Sequence, residues 1–171
     1  MTYTPTILEK IRDIFSILHD GETSTWTGDL DLFTLKVNCR YLAELIDKSY
    51  DSFYVECSCV EKIELHTWMN PINLPQTLLT DFEDIFKAGL VMTYAAIDNN
   101  HVKITCHQYN IDFDYCGGDL LLNCKQIKIF DQSKKEITID ALDKISNYYW
   151  KEKSKIVEEN IINQRNSKGE S

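Results

Sequence analysis

Basic charge is scarce in this chain. It carries 18 Lys and Arg against 27 Asp and Glu, a formal net charge of −9. That balance argues against sequence-independent binding of nucleic acid, which depends on Lys and Arg neutralising phosphates. Long apolar runs are missing too. None approaches the roughly 20 residues of a membrane-spanning helix, so no membrane partner is expected. The opening residues, "MTYTPTILEKIRDIF", mix charges into their apolar positions and contain no signal-peptide core. A cytoplasmic protein is therefore expected, with its six cysteines as free thiols. The chain also lacks GxGxxG after a strand, GxxxxGK[ST], HExxH and GxSxG. No motif names a reaction, and no catalytic residue, cofactor or metal is assigned.

What is present is enough apolar material for a core. Of 171 residues, 43% are apolar and 11% aromatic, which fits one folded domain rather than a disordered chain. We place that domain at residues 1–163, with 164–171 as a frayed polar tail. The acidity belongs to the body. Residues 151–171 hold five Lys/Arg and four Asp/Glu, leaving 13 and 23 in residues 1–150.

The apolar periods predict an α+β fold. It has a bent, mostly antiparallel sheet of about six strands, an N-terminal helix and a long C-terminal helix. Thr4-Pro5 reads as a cap followed by proline at the first helical position. Ile7, Leu8, Ile11, Ile14, Phe15 and Leu18 then recur at helical spacing, for a helix over 5–18 ended by Gly21. The period changes to two at Phe33, Leu35, Val37 and Cys39, which predicts a strand. An earlier strand near 22–27 pairs with it through "GDLD". Residues 40–48 are ambiguous. Phe53, Val55, Cys57 and Cys59 share a parity that resumes at Ile63 and Leu65. One bent strand and two strands with a bulge near Val60-Glu61 both fit.

"MNPINLPQ" reads as a loop. Thr80 reads as the cap of a short helix ended by Gly89, and residues 90–108 as a hairpin around "DNN". "YNIDFDYCGGD" reads as a further loop. Leu120, Leu122 and Cys124 open the last strand, and Ile127 and Ile129 continue it with flipped parity. A helix from Thr138 or Asp140 carries the stripe Leu142, Ile145, Tyr149 and Ile156.

Two stretches look like chemistry. In "FYVECSCVEKIELHTW" (53–68) two cysteines stand two apart. Residues of equal parity share a strand face. Cys39, Cys57, Cys59, Cys106 and Cys124 all fall on apolar faces, where burial disfavours the thiolate that metals require. Structural zinc sites instead draw cysteine pairs from tight turns. Cys116, in a glycine-containing loop, is the expected exposed thiol. The opposite face of the same strand carries Tyr54, Glu56, Lys62, Glu64, His66 and Trp68. Exposed Trp and His on a sheet mark recognition surfaces, although a helix covering that face fits the sequence equally. The second stretch, "IDFDYCGGD", offers Asp112, Asp114 and Asp119. It lacks the calcium-loop signature, which leaves a solvated loop or an acidic contact patch. The candidate binding residues are therefore Tyr54, Glu56, Glu64, His66, Trp68, Asp112, Asp114 and Asp119. His19-Asp20-Gly21-Glu22 reads as a helix C-cap and turn.

The run "LHDGE", then "LFTLKVNC", then "FYVECSCVEKIEL" resembles small bacterial immunity-protein-like domains of polymorphic toxin systems. The resemblance covers residues 18–66 and includes a Phe-Val-Leu strand pattern, here Phe53, Cys59/Val60 and Leu65. The long C-terminal helix and the cysteine content depart from it. It implies a non-catalytic inhibitor of a partner toxin, and the acidity suits a basic protein partner. Two other classes stay open. One is a small-molecule-binding protein or enzyme with a His/Asp-lined pocket built from His19, His66 or His107. The other is a structural homodimer, formed through the C-terminal helix or a free sheet edge.

Overall fold

Thr6 starts the first helix. Its hydroxyl accepts from Glu9 N while Glu9 Oε2 accepts from Thr6 N at 2.7 Å, a reciprocal capping box. The cap is therefore two residues beyond Thr4, because only Thr6 has a glutamate three positions on. This helix, α1 (Ile7–Ile17), buries Ile11, Ile14 and Phe15. The computed structural model describes residues 4–168, with side chains through residue 161.

The remaining elements run β1 (Glu22–Gly28), β2 (Leu32–Asn38), α2 (Arg40–Ala43), β3 (Ser52–Met69), β4 (Leu78–Leu79), α3 (Phe82–Phe86), β5 (Val91–Asp98), β6 (His101–His107), β7 (Tyr115–Phe130), β8 (Glu136–Ile137) and α4 (Ile139–Lys168). The class is α+β, as expected, but the sheet has eight strands rather than about six. The two extra ones, β4 and β8, are two-residue edges too short to leave a period in the sequence.

The sheet order is β4-β3-β2-β1-β5-β6-β7-β8, and β3 also pairs with β7. Six strands, β3-β2-β1-β5-β6-β7, thus close on themselves in a ring. The seam between β1 and β5 is narrow. It rests on the pair Glu22↔Val91 and on backbone bonds from Thr23 to Leu90 and from Met92 to Gly21. Every pairing is antiparallel. Closure leaves few bare edges.

The long strands β3 and β7 hold the ring together, and both bend at one place. The β3 register against β7 shifts between Val60 and Lys62. Just before that shift, Cys59 adopts φ 51°. The tip of the β1–β2 turn fixes the kink: Cys59 N donates to Asp31 O at 2.9 Å and Val60 N to Leu30 O at 2.7 Å. So β3 is one bent strand, and the kink displaces its parity only at Cys59 and Val60, the odd face resuming at Ile63 and Leu65. Val60 turns inward, while Cys59, expected in the core, is exposed. Cys39, Cys57, Cys106 and Cys124 are buried and Cys116 is exposed, as expected. The flipped parity of Ile127 and Ile129 is the same bend on β7.

The core fills the ring, with α1 on the inner faces of β5, β6 and β7. One seam is aromatic. Phe33 stacks with Phe82 at 4.6 Å and Phe86 at 5.6 Å between ring centroids, and Trp26 lies 5.2 Å from Phe82. This brings α3 onto β1 and β2. Asp81, not Thr80, caps α3, accepting from Glu83 N. Gly89 follows α3 with φ +68°, the left-handed exit that suits glycine. At the other end, Trp150 stacks on His19 at 5.3 Å, and Tyr41 lies 4.7 Å from Tyr149. These rings pin the base of α4. Ile156, expected in the buried stripe of α4, is exposed because the helix has passed the body by then. The expected frayed tail, 164–171, lies outside the residues whose side chains are described; the helical backbone continues to Lys168.

Candidate functional site

The outward residues of β3, β7 and β6 line up by register. One row runs Leu78, His66, Asp119, Thr105, Tyr94, across five adjacent strands. The next runs Glu64, Leu121, Lys103, Ala96. At about 4.8 Å between strands, five strands present a face roughly 19 Å wide. α1 packs on the other side of β5, β6 and β7. The face expected to be either open or helix-covered is open, with Leu78 53% and Tyr94 63% exposed at the two ends of its first row.

Its polar groups form two small networks. His66 Nε2 lies 3.2 Å from Glu64 Oε2, and Lys62 Nζ lies 3.4 Å from the same oxygen. The hydrogen bond with His66, helped by Lys62, holds the Glu64 carboxyl below the usual carboxylate range. One strand over, Thr105 donates its hydroxyl to Asp119 Oδ1 at 3.2 Å. Asp119 was expected in a loop. It belongs to β7, which starts at Tyr115 because Tyr115 and Gly118 already pair with Met69 and Thr67.

At one end of the face the aromatics meet. Trp68 lies edge-on to His107 at 5.7 Å, and His107 stacks on Tyr109 at 6.4 Å. Gly117 makes this possible. It pairs with His107 and brings no side chain between the strands. The acidic loop adjoins this end, where Asn70 N donates to Asp114 O at 2.8 Å. Asp112 and Asp114 are exposed there. They border a hollow of about 220 Å³ that also touches Thr67, Lys87, Phe113 and Tyr115. Lys87 pairs with Asp84 at 2.8 Å and lies 5.6 Å from the Phe113 ring centre.

The structure thus gathers Glu64, His66, Trp68 and Asp119 on one face, with Asp112 and Asp114 at its end. It does not bring Tyr54 and Glu56 there. They lie beyond the β3 bend, and the fourteen residues from Tyr54 to Trp68 span roughly 45 Å of strand. Tyr54 is covered instead by Lys134, over its ring. Sequence reading missed Leu78, Tyr94 and Tyr109. Tyr94 follows a register shift between Met92 and Tyr94, so its parity misleads. Tyr109 lies past the end of β6.

The histidines do not converge. His66 engages Glu64, His107 engages Trp68 and Tyr109, and His19 sits on Trp150 with Nδ1 2.8 Å from Ser16 O. Among the described residues no three His, Cys, Asp or Glu side chains are grouped to hold a metal ion. No helix among them is long and apolar enough to cross a membrane. No family model, curated protein or solved structure matches this chain.

Proposed function

We propose that this is a non-catalytic, cytoplasmic binding protein of immunity or inhibitor type, whose outer sheet face takes a basic protein partner. The observation that carries the reading is the uncovered row Leu78–His66–Asp119–Thr105–Tyr94, ended by Trp68, His107 and Tyr109. Interface hot spots favour rigid aromatic anchors with a polar surround. Carboxylates at 64, 112, 114 and 119, on a chain of net charge −9, steer a cationic partner. His19, His66 and His107, each set against a different neighbour, give little support to acid–base catalysis, which needs two groups within hydrogen-bond reach of one substrate.

Affinity capture with the full chain from its source cell, followed by titration of the recovered partner, tests this. The expected partner is basic. Trp68→Ala with Tyr94→Ala weakens it at least tenfold, about 1.4 kcal/mol, and Glu64→Lys with Asp119→Lys removes its salt-sensitive on-rate. A partner bound equally well by both double variants would place the interface elsewhere.

A second reading rests on the hollow beside Asp112 and Asp114. Tyr115 is only 7% exposed, and its hydroxyl is buried with no partner. Burying a hydroxyl without a hydrogen bond costs roughly 1–3 kcal/mol. A small polar ligand in the hollow, reaching that hydroxyl, removes the cost. Thermal-shift screening with small polar metabolites is then expected to find a stabiliser whose effect Tyr115→Phe abolishes. A shift that persists in Tyr115→Phe would end this reading.

A further inference from the structure

The hollow at the end of the sheet face has two chemically different sides. It lies where β3, β4, the end of α3 and the loop before β7 meet, and holds about 220 Å³. At ~30 Å³ for each water-sized group, that is room for about seven groups, the scale of a small amino acid and far short of a peptide or nucleotide. Met69, Leu79 and Phe113 give it apolar walls. Thr67 offers nothing to a ligand. Its hydroxyl already donates to Thr77 O at 2.8 Å and accepts from Thr77 N at 3.0 Å.

One side is a pair of donors. Tyr115 is 7% exposed, and its hydroxyl has no partner. Burial raises that hydroxyl above the ordinary tyrosine range, while Lys87 and Asp84 act on it in opposite senses. It therefore stays protonated, and it lies by the end of α3. Lys87 stands there too. Its ammonium spends one of its three protons on Asp84, at 2.8 Å. That bond keeps it cationic by raising its pKa. An orphan O–H beside an ammonium with protons to spare calls for an acceptor, and a carboxylate serves both.

The other side is a pair of acceptors. Asp112 and Asp114 border the hollow. Among the described residues neither carboxylate has a hydrogen bond or an ion pair. Neither pairs with Lys87, so the two kinds of charge stand apart. Two bare carboxylates call for a cation. A lone amine would leave the Tyr115 hydroxyl unpaired, and a lone carboxylate would face two acids.

Resting on the second reading above, in which the hollow holds a small ligand, we propose that this ligand is a zwitterion of amino-acid size. Its carboxylate meets Lys87 and the Tyr115 hydroxyl, and its ammonium meets Asp112 and Asp114.

Calorimetric titration of the full chain with the common α-amino acids tests this, with 3-aminopropanoate and 4-aminobutanoate added to vary the separation of the charges. At least one zwitterion is expected to bind. Its methyl ester, without the carboxylate, and its N-acetyl form, without the ammonium, are each expected to bind at least tenfold more weakly. Variants then assign the two sides separately. Lys87→Met with Tyr115→Phe weakens the zwitterion at least tenfold and leaves the methyl ester as it was. Asp112→Asn with Asp114→Asn weakens it as much and leaves the N-acetyl form as it was. The unchanged analogue in each case shows that the hollow is still folded. No binding by any of these zwitterions at about 10 mM would overturn the proposal. So would an ester or N-acetyl form that binds as tightly as its parent. A stabiliser with one charge or none, whose effect Tyr115→Phe abolishes, would overturn the zwitterion and keep the hollow as a ligand site. The absence of any Tyr115-dependent stabiliser would remove both.

Discussion

Stability is expected to fall steeply above pH 9, by about 4 kcal/mol between pH 9 and pH 11. The cause is buried thiols that the folded ring keeps protonated, Cys39 and Cys106 foremost, with Cys57 raised as well by its hydrogen bond with Cys124 and by burial. Burial pushes Cys39 up to about 11 from an ordinary value of 9.0. Cys106, wholly inside between Ile104 and Gly118, is raised still further by burial, with Asp119 adding to it. In the unfolded chain both thiols titrate near pH 9. Their stabilising contribution is therefore complete below pH 9, and it is lost as pH rises through the folded values. Each thiol removes up to about 1.4 kcal/mol per pH unit between its unfolded and folded values, and about half that at either end. Tyr41 acts in the same direction at higher pH, since burial raises its hydroxyl too. A domain of this size has some 5–15 kcal/mol in all, so two thiols bring it close to unfolding. Urea denaturation from pH 8 to pH 11 measures the slope, and thiol labelling follows it residue by residue. At pH 8 only Cys59 and Cys116 react quickly, and the four buried thiols become reactive as the ring opens. Cys39→Ala with Cys106→Ala is expected to flatten the profile. An unchanged slope in that variant would assign the alkaline loss to other groups.

The same thiols show how far a strand period can be read. In β2 and β6 the period of two holds end to end, and Phe33, Leu35, Val37, Val102, Ile104 and Cys106 are all buried as the parity rule requires. In β3 it holds for Phe53, Val55 and Cys57 and fails at Cys59. Nothing local to "CSCVE" announces that failure. The kink is held by the carbonyls of Leu30 and Asp31, about thirty residues away in sequence, and a one-residue slip exchanges the faces. Ring closure is invisible for a related reason. It needs β3 to pair with both β2 and β7, and a sequence period says which face is buried but not which strand lies alongside. The helices divide in the same way. α1 is legible because its stripe is packed along its length. The stripe of α4 continues past the point where there is a body to pack against, so Ile156 fits the period and still faces solvent.

The candidate face was half legible. Glu64, His66 and Trp68 alternate with Ile63, Leu65 and Thr67, so their common side follows from parity. That Asp119 joins them, and that Tyr94 lies in the same row, depends on the β3–β7–β6–β5 register. Tyr54 and Glu56 share the parity but not the place, since the bend lies between. Parity alone assigns a side of a strand; the radius of the ring decides what shares a surface.

Gly117→Ala is the substitution expected to do most damage at this face, lowering stability by about 3 kcal/mol or more. Gly117 has φ +149°, a region closed to residues with a Cβ. A Cβ built there would lie 2.2 Å from Cys106 O and 2.9 Å from His107 Cα. Both obstacles are backbone of the neighbouring strand, so neither can rotate away. Relief requires β6 and β7 to part at the very pair, His107↔Gly117, that supports the aromatic end of the face. Two readouts should therefore move together. The melting temperature falls by roughly 10 °C, at 2–4 °C per kcal/mol for a chain of this length. Trp68 fluorescence changes as its edge contact with His107 opens. Cys116→Ala, one residue earlier and exposed, controls for mutation of the strand itself and is expected to stay within about 0.5 kcal/mol of the parent. Parent-like stability in Gly117→Ala would mean that β6 and β7 are not in this register. The row from Leu78 to Tyr94 would then lose the β6–β7 register on which its Thr105–Asp119 step depends.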